Sequence, residues 1–71
     1  MWRHCGDDIY MLSRDGHKAT VVANHFREFS WFLHHPLSAR GAAPTLAEAQ
    51  ATAEGALTTE IAHFKKVVSN E

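Results

Sequence analysis

The sequence contains a single cysteine, Cys5, and only two prolines among its 71 residues. With one cysteine no disulfide can form within the chain, so the cross-links that stabilise many small domains are excluded. Below roughly 80 residues the free energy gained by burial and the entropy lost on folding nearly cancel. A bound metal or association with another chain would have to add stability. A lone thiol also fits a reducing compartment, and we expect a cytoplasmic protein.

The chain also lacks a charge surplus and a long apolar run. Seven Lys and Arg residues stand against eight Asp and Glu residues, which gives a formal net charge of −1. A neutral balance gives no argument for a nucleic acid or an anionic membrane as partner. No apolar segment approaches the roughly 20 residues that a membrane span needs. We therefore expect no membrane partner. The first four residues contain no apolar signal-peptide region, so we also expect no signal peptide.

The amino-acid composition divides the chain into two parts. Residues 1–38 contain six of the seven aromatic residues, with β-branched residues between them, and this composition favours strands. Residues 42–57 are rich in alanine and unbranched side chains, which favour a helix. We predict a single α+β domain over residues 1–71. It consists of an antiparallel meander of three to four strands (about residues 2–34) and one long C-terminal helix (about 45–68) packed on one sheet face.

The strand pattern predicts which side chains face the helix. Asp15-Gly16 is a strong hairpin signal, and alternation in the following strands separates two faces. The predicted helix-facing set is Ala19, Val21, Phe29, Trp31 and Leu33. The set predicted to face away is Tyr10, Leu12, Val22 and Phe32. Pro36 ends the last strand because proline cannot donate to a ladder, and residues 36–44 are predicted to form a loop.

The helix is predicted from its start signal and its apolar stripe. Thr45 and Glu48 form a capping box, and apolar residues then recur at steps of three or four. The stripe comprises Leu46, Ala49, Ala53, Leu57, Ile61, Phe64 and Val68. The predicted core comprises Ala19, Val21, Trp31, Leu33, Leu46, Ala49, Ala53 and Leu57.

Two mismatches in this architecture predict a binding partner. A helix of about 24 residues is roughly 36 Å long, whereas a strand of about six residues is roughly 20 Å long, so the helix overhangs the sheet. One helix also covers only one sheet face and leaves apolar residues on the other, which usually marks an interface. A symmetric homodimer would cover both surfaces. The predicted interface residues are Tyr10, Val22, Phe32, Ile61, Phe64 and Val68.

The alternative is a monomer in which the helix frays after Gly55 and Phe32 is a singly exposed aromatic residue. The two interpretations differ in whether the helix persists beyond Gly55.

The residues that carry chemistry do not form a recognisable site. Six histidines are present, but the adjacent pairs His4-Cys5 and His34-His35 each offer only one side chain to a given sheet face, and no zinc-ligand spacing occurs. No nucleophile has a local catalytic signature, and Asp7-Asp8 fits a turn. We therefore expect no enzyme activity, no metal and no cofactor, and favour protein binding.

Two resemblances supply an alternative role. The order of a sheet followed by a helix resembles DNA-reading modules such as the arm-binding domain of tyrosine integrases, although only Arg3 and Lys18 lie on the predicted strands. Residues 41–49, with Thr45-Leu46-Ala47-Glu48-Ala49 at the helix start, resemble part of HicB-type antitoxin domains. The Pro-Asp-Leu-Pro-Gly stretch of that family does not occur in these 71 residues, and we expect no second, DNA-binding domain. These resemblances imply a nucleic-acid-binding or antitoxin-like small regulatory protein.

Overall fold

A computed structural model describes residues 2–24 and 26–69, with side chains described as far as Phe64. The elements follow one another as a meander: β1 (Arg3–His4), β2 (Ile9–Arg14), β3 (His17–Ala23), β4 (Phe29–Leu33), β5 (Arg40–Ala43) and the helix α1 (Leu46–Ser69). The five strands form one antiparallel sheet in the order β1-β2-β3-β4-β5. The α+β class is confirmed, with one strand more than the sequence predicts.

The Asp15-Gly16 turn sets the register of the first hairpin. Both residues have positive φ, 52° and 81°, which is the conformation of a type I′ turn. The turn pairs Arg14 with His17, so Leu12 lies opposite Ala19. Paired residues point to the same side of a sheet. Leu12 therefore faces α1 and is only 1% exposed.

The prediction that Tyr10 and Leu12 face away from the helix is therefore wrong. Tyr10 pairs with Val21, which is fully buried under the helix. The Tyr10 ring stacks on the ring of His4, its partner on β1, with 4.6 Å between the ring centroids. Tyr10 thus lies half-buried on the helix side of the sheet.

The strand β5 occupies part of the segment predicted to be a loop. It pairs with β4 so that Gly41 lies opposite Trp31 and Arg40 lies opposite Phe32. A Cβ atom at Gly41 would lie 2.9 Å from Cζ2 of Trp31. The indole of Trp31 therefore packs directly over the backbone of β5, and only glycine leaves room for it.

The core lies between α1 and the sheet. Ala49 and Ala53 have no exposed surface and let the helix approach closely. Of the predicted core, Leu46 is half-buried and the other residues are confirmed as buried. The complete set of buried apolar residues is Leu12, Ala19, Val21, Trp31, Leu33, Leu37, Ala43, Ala49, Ala53, Leu57 and Ile61.

The helix begins and continues as the sequence predicts. The Thr45 Oγ1 atom accepts a hydrogen bond from the amide of Glu48 at 3.2 Å, which is the first half of the capping box. The helix is continuous through Gly55 and reaches Ser69. The predicted long helix is therefore confirmed, and the alternative in which it frays after Gly55 does not hold.

Replacing Gly55 with alanine should raise the free energy of unfolding by about 0.5–1 kcal/mol, because alanine loses less backbone entropy in a helix. A Cβ atom at this position meets no atom within 4 Å. Urea denaturation followed by circular dichroism at 222 nm measures the change. A destabilised variant would contradict the continuous helix at this point.

Candidate interaction surface

The side of the sheet turned away from α1 is the candidate functional surface, and we call it the open sheet face. Strand alternation and the observed register place every second strand residue on it. Its strand residues are Arg3, Ile9, Met11, Ser13, Lys18, Thr20, Val22, Ser30, Phe32, Arg40 and Ala42. Within the described part of the chain no further element packs on this face.

A continuous row of cross-strand neighbours crosses the open sheet face. Arg3 pairs with Met11, Met11 with Thr20, Thr20 with Phe32 and Phe32 with Arg40. Four steps of about 4.8 Å make the row about 19 Å long. It places an arginine on each edge strand, with Met11, Thr20 and Phe32 between them. The Phe32 side chain near its centre is 40% exposed.

Thr20 and His34 hold the centre of this row in place. Thr20 is only 5% exposed, although it lies on the open sheet face. Its Oγ1 atom is hydrogen-bonded to Nε2 of His34 at 2.6 Å. The His34 ring also lies against the Phe32 ring, with 5.4 Å between centroids and 17° between planes. The two rings therefore shelter the threonine and restrict one another.

The open sheet face is positively charged although the chain is nearly neutral. Arg3, Lys18 and Arg40 lie on it, and none of its strand residues is Asp or Glu. Of the acidic residues in the turns between the strands, Asp7, Asp8 and Glu28 lie at one end of the sheet and Asp15 lies at the other. The overall charge of −1 thus conceals a separation between a basic face and an acidic end.

The same acidic end carries the most exposed aromatic residue among those described. Phe26 is 80% exposed in the turn between β3 and β4. Asn24 braces this turn, because its Oδ1 atom accepts hydrogen bonds from the amides of Phe26 (2.8 Å) and Glu28 (3.2 Å). Its Nδ2 atom donates to Ser30 Oγ at 3.0 Å. These hydrogen bonds therefore fix the backbone of the turn that carries Phe26.

The residues predicted to form the interface do not share one surface. Val22 and Phe32 lie on the open sheet face, whereas Tyr10 lies on the opposite side. Ile61 is 4% exposed, so the prediction that it lies uncovered on the overhang is wrong. It belongs to the core cluster between α1 and the sheet. Phe64 is 38% exposed and its ring contacts the edge of His17. The side chain of Val68 lies outside the described residues.

Sequence reasoning missed three members of the open sheet face, Ile9, Met11 and Arg40. Ile9 and Met11 belong to an apolar run without alternation, so only the hairpin register reveals their side. Arg40 precedes a Gly-Ala-Ala segment with little strand propensity. Its position depends on the long-range pairing of β5 with β4.

A shallow concavity of about 310 Å³ lies on the open sheet face beside β1. Its lining residues are Arg3, Cys5, Met11, Ser13 and Lys18. The Cys5 thiol is exposed and its Sγ atom donates to the carbonyl of Arg3 at 3.6 Å. The lining contains two cations, a thiol and a hydroxyl, and no carboxylate or imidazole that would serve as a base. Among the residues described, no three His, Cys, Asp or Glu side chains converge on a metal position.

On the other side of the sheet, a polar cluster joins the N-terminal segment and β2 to α1. Arg14 donates to Glu54 Oε2 at 3.0 Å and to Thr58 Oγ1 at 2.7 Å. Trp2 donates from Nε1 to Glu54 Oε1 at 3.2 Å. The hydrogen bond from Arg14, followed by that from Trp2, lowers the pKa of the Glu54 carboxyl below its ordinary value. The cluster therefore stabilises the folded chain while Glu54 is ionised.

This cluster predicts a pH dependence of stability. A carboxyl whose pKa is lowered by folding contributes stability above its unfolded pKa and loses it as the pH falls through the folded pKa. The wild type should therefore lose stability relative to the Glu54→Gln variant below about pH 4.5. Urea denaturation of both proteins from pH 7 to pH 3 measures the difference. Other carboxyl groups titrate equally in the two proteins and cancel. A difference that is constant over this range would contradict the ionised cluster.

The fold and its surfaces define a small α+β domain with one helix-covered and one open sheet face. In comparisons with known proteins, the chain matches no protein-family model, no curated protein and no solved structure. Within the described residues no helix is both long and apolar enough to cross a membrane.

Proposed function

We propose that this chain is a cytoplasmic, non-enzymatic protein-interaction module whose binding surface is the open sheet face. The observation that carries the proposal is the cross-strand row, in which the partly exposed Phe32 lies next to the central Thr20. Aromatic residues, methionine and arginine are the residue types enriched in the cores of protein interfaces. The row contains all three types, with Phe32, Met11 and the two arginines as cross-strand neighbours.

The packing of the row supports binding rather than catalysis. The Phe32 ring lies against His34, which is itself hydrogen-bonded to the buried Thr20. A side chain that is already restricted loses less entropy on binding, so more of the contact energy appears as affinity. The free, exposed thiol of Cys5 is compatible with the reducing cytoplasm.

The homodimer predicted from the sequence is one form of this proposal. Two copies with aligned strands would place the arginine of one copy over an arginine of the other, because the row ends in Arg3 on one edge and Arg40 on the other. Sheets that cross at about 90° would separate these charges. A dimer through this face therefore favours orthogonal packing.

Photo-crosslinking from position 32 tests the proposal. Phe32 is replaced by benzoylphenylalanine, which keeps an aromatic ring, and Thr59 on the exposed side of α1 receives the same group as the matched control. We expect protein adducts from position 32 and few from position 59, in purified protein at about 100 micromolar or in extract of the source cells. An adduct of twice the chain mass identifies self-association.

The Phe32→Glu variant supplies the second measurement. We expect it to remain folded, because Phe32 is 40% exposed on a face that no described element covers, and to reduce association at least tenfold, as removal of a central interface residue does. Circular dichroism and light scattering report the two properties. Adducts that form from position 59 but not from position 32 would show that the binding surface lies elsewhere.

A further inference from the structure

We infer that the partner of the open sheet face is an acidic segment of another protein with an apolar centre. The inference rests on the proposed function, since it names the partner class for the same surface. The cations Arg3 and Arg40 end the central row, Lys18 lies beside it, and no strand residue on this face is acidic. A partner must therefore supply carboxylates to compensate these charges.

The size of the face favours a segment over a folded domain. The face is about 19 Å wide across five strands and about 20 Å long, roughly 400 Å². A standard interface between folded proteins covers about 800 Å² on each partner. A single helix of about 13 residues, or an extended strand of about six residues, spans 19 Å. Such a segment reaches from one edge arginine to the other.

The chemistry of the centre favours protein over nucleic acid. Between the arginines lie Met11 and Phe32, and the neighbouring row contains Ile9 and Val22. Phe32 is the only aromatic residue among the described strand residues of this face, whereas single-stranded nucleic acids stack successive bases on aromatic platforms. The aliphatic side chains around Phe32 offer bases no stacking surface. They do bury the apolar side chains of a peptide.

The uneven distribution of turn carboxylates bears on where the acidic groups of the segment lie along the strands. Asp7, Asp8 and Glu28 lie in the turns next to Ile9 and Phe29. Lys18 and His34 lie towards the opposite end, where Asp15 is the acidic residue of the β2–β3 turn. The carboxylates of the partner therefore avoid the β1–β2 and β3–β4 turns, and they lie along the central row and towards Lys18.

A random 16-residue peptide library panned on the purified full chain tests the inference. We expect enrichment of peptides that carry Asp or Glu at both ends of an apolar centre. Their affinity should fall about tenfold in the Arg3→Gln/Arg40→Gln double variant and should fall with rising salt. Arg27→Gln, in the exposed β3–β4 turn, is the matched control and should bind like the wild type.

The other outcomes separate the two proposals. Selected peptides that lose binding in Phe32→Glu but carry no acidic residues would overturn the inference and leave the proposed function standing. Peptides that bind Phe32→Glu as well as the wild type would contradict the proposed function itself. If no acidic peptides are enriched, the inference is overturned and the face has no partner of this class. If an oligo(dT) 16-mer binds more tightly than the peptides and the double variant loses that binding, the inference is overturned in favour of a nucleic acid.

Discussion

Replacing Leu12 with alanine should lower the free energy of unfolding by about 2–5 kcal/mol, the cost of removing a buried leucine and leaving a cavity. Leu12 is 1% exposed and is one of the largest fully buried side chains. A domain of this size has a total stability of roughly 4–10 kcal/mol. The variant is therefore expected to unfold at much lower urea concentration, with an unchanged slope of the free energy against urea.

Met11→Ala is the matched control for this substitution. Met11 is the chain neighbour of Leu12, points to the open sheet face and is half-buried. We expect a loss of about 1 kcal/mol or less, because its side chain packs against the sheet on one side only. The opposite ranking, with Met11→Ala the more damaging, would show that the register of the first hairpin is shifted by one residue.

The prediction that Tyr10 and Leu12 face away from α1 was wrong because β2 alone does not show which of its side chains face the helix. Residues 9–12 are all apolar, so they carry no alternation and give no face of their own. The strand β3 does alternate, and the type I′ turn at Asp15-Gly16 transfers its pattern to β2. Counting residue pairs back from a two-residue turn places Leu12 opposite Ala19.

The helix was predictable because its signals are local. The Thr45 cap, the stripe at steps of three or four and the run of alanines all lie within the element that they specify. The fold class follows from these signals and from the hairpin turn. The buried position of Ile61 was not predictable from length alone, because it depends on how far the sheet extends beneath the helix.

The open sheet face was only partly predictable for a different reason. Phe32 and Val22 follow from alternation within their own strands, and both were placed correctly. Arg40 lies in a segment of small residues that becomes a strand only because β4 pairs with it. Strand pairing leaves no periodic trace in a segment of such small residues. The basic character of the face depends on Arg40, so it appears only in the folded structure.

Replacing Gly41 with alanine should lower the free energy of unfolding by about 1–3 kcal/mol, as overpacking does in a filled core. The added Cβ atom would lie 2.9 Å from Cζ2 and 3.0 Å from Nε1 of Trp31. Trp31 is 8% exposed and belongs to the core cluster, so its indole has little space to move aside. The same substitution at Gly55 is the control and should stabilise, because that site is open.

A double-mutant cycle separates this clash from a general intolerance of β5. Trp31→Phe removes the indole atoms nearest to Gly41 and should itself destabilise by leaving a cavity. In that background Gly41→Ala should cost much less than in the wild type. Equal costs in both backgrounds would contradict the packing of Trp31 over Gly41. The strand β5 positions Arg40 in the central row. A variant that loosens β5 should therefore also lower the affinity for acidic peptides, as strongly as Arg40→Gln does. This links the packing of one glycine to the charge of the open sheet face.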